Sequence, residues 1–234
     1  MRIAILFFLM QVSASSIAQH LTYSEWQKQS FGDMRLMPKY GDRPKNAEML
    51  ASDSAFVAQT LAVIPDRDTA SDHLVDLGFG LLRAGDLTAA MFRFNQAYLV
   101  DPKNPSIYRG YGAFFMSLDR TSEAARQYAD GLALDTTDTM LMTDLAAVFL
   151  AEEFNLRQVE PAKADLMLDG TIRLLDRVLV RDPKSSEACF KLSVAHLRKG
   201  QCKEAVRFRD QCKTLGGTQV TAEFEALLKA KCPE

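Results

Sequence analysis

The sequence predicts an all-α fold in which helical hairpins stack side by side, and three observations lead to it. Apolar residues recur at helical spacing through most of the chain after residue 46. Gly and Pro interrupt that spacing at intervals that suit helix ends and turns. The pattern also repeats itself every 34 residues, the mark of a stack in which each unit buries its apolar face against its neighbours.

The clearest unit is residues 71–104. Leu74, Leu77-Gly78 and Leu81 lie on a first helix, Gly85 and Asp86 turn the chain, and Ala90, Phe94 and Ala97 lie on a second helix that Asp101-Pro102 ends. Gly78 and Ala90 are small where the two helices approach closely, and Leu77, Leu81 and Phe94 fill the space between them. Residues 105–138 repeat the scheme in phase with Tyr108, Tyr111-Gly112, Phe115, Ala124, Tyr128 and Gly131, although Thr136 replaces the proline. Both units resemble the tetratricopeptide repeat (TPR). That resemblance implies a right-handed superhelical stack of hairpins, each with a helix A and a helix B.

The third unit, 139–185, begins in register with Met142, Leu145-Ala146 and Phe149. Its second half, with Leu175, Val178 and Asp182-Pro183, is recovered only after a shift of thirteen residues, and Thr171 stands where a small alanine is expected. Thirteen extra residues, 152–164, make close to two helical turns on each arm, so a longer hairpin should project from the stack, with Glu160-Pro161 opening its second helix. The fourth unit, 186–219, carries Cys189, Leu192-Ser193, His196, Gly200, Ala205, Arg209 and Cys212 and is the most polar. Residues 220–234 follow as a capping helix whose Val220, Phe224, Leu227 and Leu228 form one stripe that closes the stack.

The start of the chain is of another kind. Residues 1–18 combine Arg2, an apolar run from Ile3 to Met10 and the small residues Ser16 and Ala18, the composition of a secretory signal peptide cut after Ala18. The run falls short of the roughly 20 residues that span a bilayer, so no transmembrane segment is expected after signal removal and the mature chain is placed in the periplasm or outside the cell. Residues 19–68 form a segment that packs on the array, extended or partly helical to Asn46 and helical from Ala47 to Val63, where Leu50, Phe56, Val57 and Leu61 are available to pack.

Four cysteines, Cys189, Cys202, Cys212 and Cys232, lie near the C-terminus. In an exported chain an even count reads as disulfides, with three possible connectivities. Antiparallel helices bring the start of the fourth helix B to the end of the closing helix, which favours Cys202 with Cys232. The two arms of the fourth hairpin likewise favour Cys189 with Cys212, buried thiols being the alternative. The spacings lack the close pairs of a zinc site.

No catalytic signature is present. His20, His73 and His196 are dispersed, His196 falls at a core position, and there is no glycine-rich phosphate loop or nucleophile motif. No enzyme, cofactor or metal is expected. A net charge of −2 gives no footprint for nucleic acid, and the basic group Arg198, Lys199, Lys203, Arg207 and Arg209 reads as a solvated helix face.

In TPR proteins partner peptides lie along the inner face of the A helices. The resemblance places Asp72, Val75, Phe79, Leu82 and Arg83 there, then Ser106, Arg109, Ala113, Met116 and Ser117, then Met140, Thr143, Ala147, Leu150 and Ala151. This is an apolar groove. The family's carboxylate clamp is absent, since Val75, Phe79, Gly110, Met140 and Asp144 occupy its positions. An amphipathic helix or extended apolar peptide suits such a groove, as does the chain's own N-terminal segment, with Trp26, Phe31 and Met34 as plugs. The functional expectation is an exported scaffold that holds a protein or peptide partner in cell-envelope assembly, transport or secretion. The alternative is a non-catalytic subunit of an envelope enzyme complex that docks through the elongated third hairpin.

Overall fold

The computed structural model describes residues 21–233; the signal-peptide reading and its cut after Ala18 lie outside them. Among the described residues there are eleven α-helices and no strands. The stack consists of four antiparallel hairpins: α3 (Arg67–Arg83) with α4 (Leu87–Val100), α5 (Pro105–Met116) with α6 (Thr121–Leu134), α7 (Thr139–Leu156) with α8 (Pro161–Arg181), and α9 (Ser186–Arg198) with α10 (Cys202–Thr214). Before them come α1 (Tyr23–Gly32), two short 3-10 turns (Met34–Leu36 and Pro38–Asp42) and α2 (Ala47–Val63); α11 (Ala222–Lys231) follows.

Side-chain caps fix where these helices begin. Asp86, Asn104, Asp138, Ser185 and Thr221 each accept a hydrogen bond from a backbone N–H of the first turn they precede. Left-handed glycines Gly85 and Gly200 make the tight turns within the first and fourth hairpins.

Inside the hairpins, the small residue of helix A receives the aromatic ring of helix B. A β-carbon on Gly78 would sit 2.4 Å from the Phe94 ring, and one on Gly112 would sit 2.1 Å from the Tyr128 ring. Phe94 is wholly buried and also meets Phe79 and Tyr111 edge-on, so one ring joins two successive hairpins. Thr171, at the alanine position, is buried and satisfies its hydroxyl on the Met167 carbonyl one turn back.

Leu77 departs from the expected core: it is 41% exposed, whereas Tyr111, its counterpart one unit later, is fully buried. The first hairpin has no earlier repeat to cover that position. Leu50 is likewise exposed while Phe56, Val57 and Leu61 pack on the array.

Each A helix touches the next, α3 to α5, α5 to α7 and α7 to α9, whereas successive B helices make no comparable contact. The A layer is therefore the tighter side of the stack, and its outward face forms the inner wall.

Helices α7 and α8 have 18 and 21 residues against 12 and 14 in α5 and α6, so the third hairpin overhangs its neighbours by more than a turn. Its outer part exposes Phe154, Val159 and Leu166. No helix of the described residues is long and apolar enough to cross a membrane.

Candidate interaction groove

The N-terminal segment fastens to α4, to the Phe114–Phe115 end of α5 and to the start of α6. Trp26 is buried edge-on against Phe114 and Phe115, and its Nε1 donates to the Leu36 carbonyl at 2.8 Å. Tyr23 donates to Glu123 at the start of α6 and lies under Arg120. Asn95 on α4 donates to the carbonyls of Arg35 and Met37 at 2.7 and 2.9 Å and accepts from the Tyr111 hydroxyl, which in turn accepts from the Lys39 N–H. Burial pushes the Tyr111 and Tyr40 hydroxyls well above the ordinary tyrosine range, so both stay neutral. The expected plugs therefore do not meet the groove residues. Trp26 packs on Phe114 and Phe115, Met34 lines a cavity with Tyr40 and Phe56, and Phe31 is 83% exposed. The segment's buried polar partners, Asn95 and Tyr111, sit on α4 and α5 and hold it there.

This leaves the inner face of α3, α5 and α7 without a contact from the segment's anchoring side chains. Met140 and Arg83 are exposed; Phe79, Leu82, Arg109, Ala113, Met116 and Ala147 are half-buried; Val75, Thr143 and Leu150 are buried and shape the wall from beneath. Thr143 satisfies its hydroxyl on the Thr139 carbonyl.

Arg109 ties the three helices together. Its guanidinium lies 4.9 Å from the centre of the Phe79 ring on α3, its Nε donates to Asp144 Oδ2 on α7 at 2.8 Å, and its Nη1 lies 3.7 Å from the Met140 sulfur. Burial raises the Asp144 carboxyl above the ordinary carboxylate range, against the opposing pull of Arg109. Arg109 is thus engaged within the chain and does not stand free for a partner, unlike Arg83. Asp144, at a clamp position in the repeat register, is the partner that the residue pattern alone does not assign to Arg109; the two are 35 apart, one repeat length plus one position.

At the far end of the stack, Cys202 and Cys232 are joined, with Cα atoms 5.4 Å apart. Cys189 and Cys212 are buried free thiols, not the second bridge expected from the hairpin geometry. Both enter one apolar cluster with Leu192 and Phe208, and the Cys212 sulfur faces the turn at Gly217 and lies 3.8 Å from Gln219 Oε1. Burial pushes both thiols up, which disfavours the reactive thiolate. His196 stacks on Phe208 and contacts Gln201 Oε1 through Nδ1, a packed structural position. Among the described residues no group of His, Cys, Asp and Glu is arranged to hold a metal.

No protein-family description and no curated protein matches the sequence. Three solved structures are similar to it. PilW, titled a type IV pilus biogenesis factor, is 16% identical with a TM-score of 0.35, covering 68% of this chain and 92% of that one. PilF of Pseudomonas aeruginosa is 17% identical with a TM-score of 0.35, covering 70% and 85%. YrrB, titled a TPR protein with an unusual peptide-binding site, is 15% identical with a TM-score of 0.33, covering 75% and 97%. Scores this low transfer no function. The stacked helical hairpins and the 34-residue register are this chain's own likeness to TPR proteins.

Proposed function

We propose that this chain is an exported scaffold that holds a polypeptide segment along the inner face of α3, α5 and α7. One observation carries the reading: Met116 and Met140, with the edge of Phe79, give apolar surface along three adjacent A helices, while the anchoring side chains of the N-terminal segment engage Asn95, Tyr111, Phe114 and Phe115 instead. An amphipathic helix or extended apolar segment fits a trough of this kind. The bond between Cys202 and Cys232 supports an oxidising compartment, in keeping with the composition of residues 1–18.

The test is capture of a native envelope partner by the purified chain, followed by Met140→Asp, Met116→Asp and Phe79→Asp. Met140 is 56% exposed, so Met140→Asp leaves the core intact. Partner binding unchanged in folded Met140→Asp and Met116→Asp chains would overturn the groove assignment.

A second reading places docking on the elongated α7–α8 hairpin within an envelope enzyme complex. The exposed Phe154, Val159 and Leu166 favour it. Deleting residues 152–164 then abolishes assembly while Met140→Asp has no effect.

A further inference from the structure

The elongated hairpin carries the inner face of α7 past the end of the neighbouring A helices. After Met140, Ala147 and Leu150, the same helical spacing continues to Phe154, which is 72% exposed. Phe154, Leu150 and Met116 form the apolar side of a hollow of about 570 Å³, and Asp119 and Arg198 stand on its polar side.

The charges around this hollow do not balance. Arg198 donates to Glu153 Oε2 at 2.7 Å; Glu153 also holds Arg157, and Arg157 holds Asp165 at 2.8 Å, so these four neutralise one another. Asp119, the carboxylate in the lining, forms no ion pair among the described residues, whereas the lining's cation, Arg198, is already held by Glu153. The hollow is left with the one unpaired carboxylate of Asp119 beside an apolar wall.

Asp119 also departs from the repeat. It occupies the turn position that Gly85 and Gly200 fill in the first and fourth hairpins, and like them it has a positive φ, 56° against 83° and 72°. A residue with a β-carbon is strained there, where glycine is not. The second hairpin thus carries a side chain with a carboxylate at a site where the other two have none.

We infer that this hollow seats a partner segment bearing a lysine or arginine next to a bulky apolar residue, the apolar group against Met116 and Phe154 and the cation against Asp119. The inference rests on the groove reading and names the chemistry of one end of it.

The experiment selects random dodecapeptides displayed on phage against the whole chain and measures the enriched peptides by fluorescence polarisation. Enriched sequences should place Lys or Arg within two residues of an aromatic or long aliphatic side chain. Asp119→Asn should weaken them about threefold to fivefold, and Phe154→Ala should weaken them as well. Asp119→Gly should raise the thermal midpoint while weakening binding, a pairing that a merely structural role for Asp119 does not produce. Selection without basic-apolar enrichment, or peptides that bind Asp119→Asn as they bind the parent, would overturn the inference. Peptides lost on Met140→Asp but retained by Asp119→Asn would leave the groove standing and remove the hollow.

Discussion

Arg109 Nε donates to Asp144 Oδ2 at 2.8 Å across the boundary between the second and third hairpins, and the same guanidinium covers the Phe79 ring of the first. Three A helices are thereby held in one register by a single long side chain. The pair is mostly withdrawn from water, so its electrostatics are set by burial as much as by attraction.

That balance predicts a pH dependence. Burial holds the Asp144 carboxyl above its ordinary range, so the folded chain binds this proton more tightly than the unfolded chain does. The stabilising contribution is full below the unfolded pKa, about 4, and is lost as pH rises through the raised folded value. Relative to Asp144→Asn, the parent chain should lose stability as pH climbs from that range toward neutrality. Urea midpoints of the two chains across this interval check it; a difference that grew in the opposite sense would mean that attraction to Arg109 outweighs burial.

Much of the fold was legible because periodicity reports on burial. Gly78 and Gly112 are small for a reason visible in the sequence, the rings of Phe94 and Tyr128 that stand at the matching position of the partner helix. The elongated hairpin was legible as a break in register. What was not legible depended on contacts between distant residues without a repeating pattern. The attachment of the segment that carries Trp26, Leu36 and Tyr40 runs through the single residues Asn95 and Tyr111, which carry no repeat signature as polar partners. Asp119 left a trace in the sequence, since it stands in register with Gly85 and Gly200, but only the backbone angle gives that trace its meaning.

Close helix contact makes Gly78→Ala a sensitive probe of the stack. The added carbon falls 2.4 Å from a fully buried ring that is itself packed against Phe79 and Tyr111. Overpacking of this kind costs about 1–3 kcal/mol. The urea midpoint should drop accordingly, whereas Gly80→Ala, where nothing lies within 4 Å, should leave it unchanged or raise it.

The N-terminal segment should come loose when its polar fastening is cut. In Asn95→Ala, the Arg35 and Met37 carbonyls lose their donor and the buried Tyr111 hydroxyl loses its acceptor. Each buried group left unsatisfied costs about 1–3 kcal/mol. Amide exchange should accelerate first at Leu36 and Tyr40, ahead of the α5 and α7 helices; uniform acceleration along the chain would show that the segment and the stack open together.

The C-terminal closure offers a separate test of how cooperative the stack is. The Cys202–Cys232 bond spans a sequence separation of 30 and ties the start of α10 to the end of α11. Helix α11 buries Leu228 against Leu197 and Ala205 and sets Phe224 on Phe190, while Glu225 bridges Arg209 and Lys213. Surface ion pairs of that kind contribute little, so the covalent link supplies a large share of the closure, about 3–4 kcal/mol on loop entropy for this separation. In Cys202→Ser, amide exchange should rise in α11 by orders of magnitude while α3 to α8 keep their protection, because each hairpin of a stack contacts only its neighbours. If α3 lost protection to the same extent as α11, the chain would be unfolding as one unit and the bond would be stabilising the whole array.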